Sequence, residues 1–449
     1  MTATAQIQAT RADFLDPSLY DDSSLAALSH SSRGTLLTGL SHAFDLAEGR
    51  RPGHAQRVAY IGITLASELN LGPSEVEDVF FACLLHDIGM SGVGAGVRVE
   101  NGHGIRMISG TSLADDVLSS VVPGRWPDVV QAIARHCELG ALVSRKMGLS
   151  EAVARAISTH HESWDANSEA GPLISRVVSA ADRVESMIDT EGPPLLVRRK
   201  GPAIVREMAG REIDPEVAST LVDIANRDSF WFGFYDNDLA ATLMTMNFGG
   251  RLLGEELFDF LGVISDVVDS RNGREPGRGR RVAMQARKLA LVSDMPERRA
   301  DLVRVAALLQ DLGTLGVPGN MLSKPDILTI EEMSTVQMHP MYARDLLSEI
   351  PGMGAASWWV GCHHERIDGK GYPGMLEGDE VPLEAQIIGL SEAYDALTSD
   401  RPYRKAMAPD GAMAVIRGLA GSRFRMDLVD SFEDVCGAAS PIIGTDVLA

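Results

Sequence analysis

Two side chains able to bind a metal stand together at the end of an apolar run, His86 and Asp87 in Leu84-Leu85-His86-Asp87-Ile88-Gly89. The pair alone carries little, because a histidine closing an apolar helix is more often a core or capping residue than a ligand. Its surroundings change that. His54 precedes the pair and His136, His160, His161 and Asp182 follow it, giving five histidines and two aspartates in one domain-sized segment. Imidazole and carboxylate donors of this kind suit two divalent transition metals, Fe or Mn first and Zn or Ni after them, without any cysteine.

These residues need helices to carry them. Val58, Ile61, Leu65 and Leu69 share one face of a helix that starts near Pro52-Gly53-His54, which puts His54 in its first turn. Ser74-Glu75-Val76-Glu77 reads as a capping box opening the helix that ends at His86-Asp87, with Gly89 as its stop. Residues 90 to about 125 are rich in Gly, Ser and Val, and read as a long irregular excursion. Helical patterning resumes at Pro127 and carries His136. A helix from Ser150 delivers His160-His161, and another over Leu173 to Met187 carries Asp182. Strand signals are sparse, so the fold class is all-α.

At 449 residues the chain has room for two domains, and 45% hydrophobic with 23% charged residues is an ordinary globular composition. No apolar run reaches the roughly twenty residues of a membrane span, and no basic-then-apolar leader opens the chain, so a cytoplasmic protein with no membrane partner is expected. Cys83, Cys137, Cys362 and Cys436 are scattered and read as reduced, buried thiols. A net charge of -21 argues against broad contact with nucleic acid, and no helix-turn-helix pattern follows, so no DNA partner is expected.

The two halves repeat each other. HAQRVAYIGITLASEL at His54 matches RGRRVAMQARKLALVS at Arg278, and LLHDIG at Leu84 matches LLQDLG at Leu308. The spacing from His54 to His86 is 32 positions, as is Arg278 to Gln310, and His136 to His160 is 24, as is His339 to His363. This organisation predicts a mobile tail over 1–30, one repeat over 31–236, a linker over 237–244, a second repeat over 245–440 and a tail over 441–449. The aromatic run Asp228-Ser229-Phe230-Trp231-Phe232-Gly233-Phe234-Tyr235 is expected to pack the repeats together.

At His363-His364-Glu365-Arg366-Ile367-Asp368-Gly369-Lys370-Gly371-Tyr372-Pro373, with LTSDRPYRKAM following, the second repeat closely resembles an HD-GYP domain. The first resembles an HD domain through its ligand set and spacings. The resemblance implies tandem helical HD domains of the phosphohydrolase superfamily, whose HD-GYP members hydrolyse bacterial cyclic dinucleotides at a metal centre. It further implies that His54, His86, Asp87 and Asp182 bind one metal and His136, His160 and His161 the second, with Asp87 bridging. Two cations about 3.5–4 Å apart acidify a bridging water and polarise phosphoryl oxygens.

The repeats depart from that family in complementary ways. In the second, Arg278 and Gln310 replace two histidines and Glu392 the late aspartate, leaving Asp311, His339, His363 and His364 as a degenerate site. Catalytic silence is expected there, with Arg366, Asp368, Gly371, Tyr372, Pro373 and Arg401 as signature residues that could serve a protein signalling partner. The first keeps all seven ligands but has HHESWDANSEAGP in place of the GYP loop, and Met90 where the family has a phosphate-contacting lysine. Arg50 stands where some members place a third-metal glutamate, which favours a binuclear centre. The basic run Arg198-Arg199-Lys200 is the candidate replacement for the missing phosphate contact.

The expected function is a metal-dependent phosphodiesterase for a cyclic dinucleotide, cyclic di-GMP or cyclic GMP-AMP, with chemistry in the first repeat and a regulatory second repeat. The alternatives are a phosphohydrolase of another nucleotide and a non-enzymatic module binding a cyclic dinucleotide or protein. The sequence is silent on oligomeric state.

Overall fold

The computed structural model describes Leu28 and residues 31–89, 98–101, 104–107, 126–164, 171–188, 194–322, 324, 326–400 and 404–437. The tails expected over 1–30 and 441–449 therefore lie outside the described residues, apart from Leu28, which is buried. Among the described residues the architecture is helical apart from an antiparallel hairpin in the excursion after Gly89: β1 (Arg98–Asn101) and β2 (Gly104–Met107).

In the first repeat the helices are α1 (Arg33–Glu48), α2 (His54–Glu68), α3 (Pro73–Leu85), α4 (Trp126–Lys146), α5 (Glu151–Thr159) and α6 (Leu173–Met187). They are followed by α7 (Pro194–Met208), α8 (Pro215–Ala225), α9 (Asp228–Phe234) and α10 (Leu239–Met244). The second repeat runs through α11 (Glu255–Arg271), α12 (Arg278–Val292), α13 (Glu297–Leu309), a 3₁₀ turn (Leu312–Gly316), α14 (Gly319–Leu322) and α15 (Ile330–Val336). It ends with α16 (His339–Ser348), α17 (Gly354–Cys362), α18 (Leu383–Thr398), α19 (Pro409–Arg417) and α20 (Met426–Gly437). Helices α1, α2, α3, α4, α5 and α6 correspond in order to α11, α12, α13, α16, α17 and α18.

Local chemistry sets the ends of the helices that bear ligands. Ser150 caps α5 by accepting the Val153 N–H, so that the two residues after Thr159 are the histidine pair. The capping box of α3 begins two residues before the expected one: Gly72 precedes Pro73 at the first helical position, and Glu75 accepts the Gly72 N–H at 2.8 Å. Proline at that position has no N–H to leave unsatisfied, which is why the helix starts there and not at Ser74. Gly53 enters α2 with φ +87°, a left-handed turn open to glycine. The N-terminus beyond it is clasped by Asp45 of α1, which accepts the Ala55 N–H at 3.1 Å. Asp269 of α11 does the same for Gly279 at 3.0 Å.

Residues 237–244, expected as a linker, carry α10, which packs on α1, and the chain after it pairs with the start of α1 through Arg33 N–H to Gly250 O and Gly34 N–H to Phe248 O. One expectation about the join between repeats needs correcting. The aromatic run packs inside the first repeat: Phe230 stacks on Tyr60 of α2 with ring centroids 5.6 Å apart, and Trp231 donates to Ala225 O. What joins the repeats is reciprocal. Helix α1 lies against α16 and the 3₁₀ turn, while its counterpart α11 lies against α4, the counterpart of α16. At the centre of this arrangement Arg271 Nη2 donates to Ala47 O, and the two residues occupy the same position of their respective repeats. A Cβ on Gly39 of α1 would collide with Ile350, so the close approach requires glycine there.

Candidate metal centres

All seven ligand candidates of the first repeat converge. His54, His86, Asp87, His136, His160 and Asp182 are buried and His161 is nearly so. On one side, His54 Nε2 is 3.3 Å from His86 Nε2, and Asp182 Oδ1 is 3.6 Å from both. Opposite, His161 Nε2 is 3.1 Å from His136 Nε2. Asp87 lies between the two groups. Its Oδ2 is 3.3 Å from His86 Nε2, and its Oδ1 is 3.5 Å from His136 Nε2 and 3.4 Å from His160 Nε2.

The imidazoles are turned inward by their other nitrogens. His86 Nδ1 bonds Cys83 O at 2.7 Å, His160 Nδ1 bonds Ile157 O at 2.7 Å, and His54 Nδ1 bonds Glu185 at 2.5 Å. An N–H donated outward leaves the Nε2 lone pair facing the centre, the tautomer that a metal requires. Glu185 was not singled out from the sequence. It sits one helical turn after Asp182 and also accepts from Arg57 at 2.7 Å; the matching Asp395 of the second repeat was the available signal.

The donor set fits metal ions on the geometry of its own atoms. Asp87 Oδ1 and His160 Nε2 are buried with no hydrogen-bond partner, a costly state for lone pairs that a cation would relieve. Donors bound at about 2.0–2.2 Å to one ion lie roughly 2.8–3.6 Å apart, a range that contains the separations within each group. Cys137, set aside in the sequence reading, also reaches this cluster, 3.6 Å from His136 Nε2. Burial opposes its thiolate, but the histidines beside it outweigh burial and bring its pKa down to about 7.

The charges within the centre are strongly coupled. Burial works against charge on His86, yet Asp87 and Asp182 overcome it and hold the imidazole pKa well above its ordinary value. Burial would likewise neutralise Asp87, but His86, His136 and His160 hold its carboxyl well below the usual range. His161 is pushed well below the ordinary histidine value by burial and by neighbouring His160. At the rim, Arg50 Nη2 lies 3.3 Å from Asp87 Oδ2 and 3.8 Å from Asp182 Oδ1, and Nη1 bonds Ser186.

The expected phosphate contacts are placed differently. Arg198 is paired with Asp228 at 2.6 Å on α9, and Arg199 and Lys200 are exposed on α7. Among the described residues the cation that touches the ligand carboxylates is Arg50, from the turn after α1, while α7 packs mainly on α8. Met90 lies outside the described residues.

In the second repeat a guanidinium stands where the first has its His54 side. Arg278 Nη1 is 2.5 Å from Asp311 Oδ2, Nη2 is 2.8 Å from Glu392 Oε1, and Nε is 3.5 Å from Asp395 Oδ2. Arg274, the counterpart of Arg50, adds a contact to Asp311 at 2.7 Å. His339, His363 and His364 still cluster, with His339 Nε2 3.4 Å from His363 Nε2. The signature residues largely engage one another. Arg366 forks onto Asp368, Tyr372 lies against His364 in a tilted ring contact with centroids 4.8 Å apart, and Gly371 lies so near the Glu365 and Arg366 backbone that a Cβ would clash. Pro373 follows in the loop that Glu365 pins by accepting the Gly374 and Leu376 N–H groups, and Arg401 lies outside the described residues.

Two helical units, each closing histidines and carboxylates between corresponding helices, define a tandem HD-domain protein, and the HD-domain family profiles match residues 51–187 and 262–428. The chain is homologous over most of its length to the 3'3'-cGAMP-specific phosphodiesterase 3 of Vibrio cholerae serotype O1, with 28% identity over 424 residues, 85% of this chain and 89% of the relative. The cyclic di-GMP phosphodiesterase of Thermotoga maritima is 30% identical over 178 residues, 39% of this chain and 48% of the relative. The crystal structure of the V. cholerae cyclic GMP-AMP phosphodiesterase V-cGAP3 superposes with a TM-score of 0.61 at 24% identity, covering 91% of this chain and 99% of that one, and so shares its fold. Among the described residues no helix is long and apolar enough to cross a membrane.

Proposed function

We propose that the first repeat is a metal-dependent phosphodiesterase acting on a bacterial cyclic dinucleotide, and that the second is a regulatory domain without chemistry of its own. The observation that carries this reading is Asp87, whose two oxygens face two separate groups of imidazoles. His54, His86, Asp182 and Asp87 Oδ2 would hold one metal; His136, His160, His161 and Asp87 Oδ1 would hold the other. When bound, such metals acidify a water and polarise the phosphoryl oxygens.

The protein's own residues supply the rest. Glu185 fixes the His54 ring, and the carbonyls of Cys83 and Ile157 fix His86 and His160, so the donors are preorganised before any ligand arrives. Arg50 brings a guanidinium to the mouth, where a phosphodiester anion would meet it; a planar fork suits phosphoryl oxygens. Support for the substrate class comes from the V. cholerae relative, named for 3'3'-cGAMP, and from the T. maritima relative, named for cyclic di-GMP. The absence of a GYP loop from the repeat with the full ligand set favours a second reading, hydrolysis of another nucleotide. Protein signalling partners would meet the second repeat.

The test is to reload the full chain anaerobically with Fe or Mn and follow cyclic di-GMP and cyclic GMP-AMP by chromatography, beside Asp87→Ala. Turnover in the wild type that disappears in the variant supports the proposal. Two bound metals without turnover of either compound would move the reading to another nucleotide, and no metal would sink the enzymatic reading altogether.

A further inference from the structure

The two repeats differ most in what lies beside the paired histidines. In the second, the signature loop plugs the space: Leu376 is 0% exposed and packs with Cys362, Val381 and Ala385 in a small apolar cluster of their own, with Trp358 against it. In the first repeat the same positions are polar or empty. Thr159 stands for Cys362, each one residue before its histidine pair; Ser175 stands for Ala385, each seven residues before the late acidic ligand position. Gly171 stands for Val381, a match that the geometry repeats: Arg176 Nε donates to Gly171 O as Gln386 Nε2 donates to Val381 O. Arg155 replaces Trp358, and among the described residues none stands for Leu376.

The result is a cavity of about 300 Å³ lined by these residues and by Glu162, Ser163 and Trp164, which directly follow the ligand His161. This is about the lower end of the size range of small-molecule sites. One polar group in it is unspent: Ser175 is 7% exposed and its buried Oγ has no hydrogen-bond partner. A buried hydroxyl without a partner is costly, so it points to a ligand group that completes it. The wall is also tied to the metal ligands. Arg183 donates to His161 O and Glu162 O and, through Nε, to Ser179 Oγ of the cavity lining.

We propose that this cavity is a base subsite, taking the guanine of a nucleotide whose phosphodiester lies at the first-repeat metal centre; the proposal rests on the nucleotide-hydrolase reading above. Guanine presents the O6 and N7 acceptors and the N2 amino donors. The cavity offers the complementary set, with the Arg155 fork and the Ser175 hydroxyl as donors, the Glu162 and Glu212 carboxylates as acceptors, and the Trp164 indole as an aromatic surface; the Thr159 hydroxyl, which donates to Arg155 O, adds a further acceptor. Losing the signature loop thus opened a specificity pocket in the repeat that kept its ligands.

The experiment refills the cavity by the second repeat's own device. A Cβ on Gly171 meets nothing within 4 Å, so Gly171→Val adds a side chain to open space, and Ser175→Leu fills it from the other wall. Binding of GMP, AMP and inorganic phosphate to the Mn-loaded full chain is followed by calorimetry, with metal content measured in parallel. The expected result is wild-type preference for GMP over AMP, and GMP affinity lower by about tenfold or more in both variants, with phosphate affinity and metal content unchanged. Unchanged GMP affinity in both variants, equal binding of GMP and AMP by the wild type, or phosphate affinity falling along with that for GMP would each overturn the subsite. The two readings fail separately. A wild type that leaves cyclic dinucleotides intact while the variants lose GMP sinks the function but keeps the pocket, whereas variants that hydrolyse cyclic dinucleotides with wild-type KM and bind GMP undiminished sink the pocket alone.

Discussion

The two repeats solve one electrostatic problem in two ways. In each, carboxylates from corresponding helices are buried around a common point and need positive charge. The first repeat surrounds them with imidazoles whose Nε2 atoms face inward, a set that exchangeable cations would complete. The second places the Arg278 guanidinium among Asp311, Glu392 and Asp395, a cation covalently part of the chain. A fixed cation needs no loading, but it offers no open coordination position and cannot activate water. On the proposed reading, an HD scaffold keeps its shape when metal chemistry is given up, provided the charge is replaced in place.

The sharpest way to break this comparison is to remove the equivalent aspartate from each side. Asp87→Ala should lower turnover by roughly a thousandfold or more and cost the chain its metals, whereas Asp311→Ala should leave turnover near wild type. Comparable losses in both would show that the second repeat takes part in the chemistry. Next comes reversal: Arg278→His with Gln310→His recreates the missing imidazoles, and elemental analysis should then find additional metal per chain. An unchanged count would mean that the guanidinium is not what keeps metal out.

Glu185→Gln should weaken metal binding by about 10–100-fold, because the amide orients His54 without the charge that raises its basicity. Asp395→Asn, on the other side, should leave metal content alone. Calorimetric titration with Mn of both proteins reads the difference. Arg50→Gln should raise KM about tenfold with metal content intact, and Arg50→Lys should recover part of it. A variant that instead loses metal would make Arg50 only a clamp on the carboxylates.

The smallest effect concerns stability against pH. Burial pushes the Asp269 carboxyl up to about 6, chiefly against its ordinary value of 3.8. Ionising it in the folded protein is therefore unfavourable, so its stabilising contribution is whole below about pH 4 and lost as pH rises through about 6. Asp269→Asn keeps an acceptor for the Gly279 N–H and should raise stability at pH 8 by about 1–3 kcal/mol, with no gain at pH 4. Asp45, raised by burial in the same way, should respond in the same direction. Thermal melts at the two pH values check both.

Much of the candidate centre was legible because its residues are rare and their spacings repeat. Histidines at matching intervals in two half-chains mark the candidate ligands and the helices that position them, and α6 spans Leu173–Met187 as periodicity predicted. Glu185 escaped because an outer partner is defined by the direction it faces, and only the rotation of α6 shows that it faces His54. Arg50 was seen as a substitution, but its contact with both carboxylates depends on the path of the turn after α1. The aromatic run was misplaced because composition shows that a surface must be covered without showing which one; Tyr60, its partner, carries no such mark. The cavity beside His161 was invisible for a related reason, since it is made by side chains that are small or absent.

The reciprocal packing of α1 on α16 and α11 on α4 has a consequence for how such a chain arises. Equivalent surfaces meeting about an axis, with Ala47 and Arg271 touching like to like, are the geometry of an isologous homodimer. A fused descendant of that dimer inherits an interface that neither half can discard, because each buries the other's apolar helix face. Under the proposed division of labour, one copy could surrender imidazoles at two ligand positions while remaining indispensable as the surface on which the other folds.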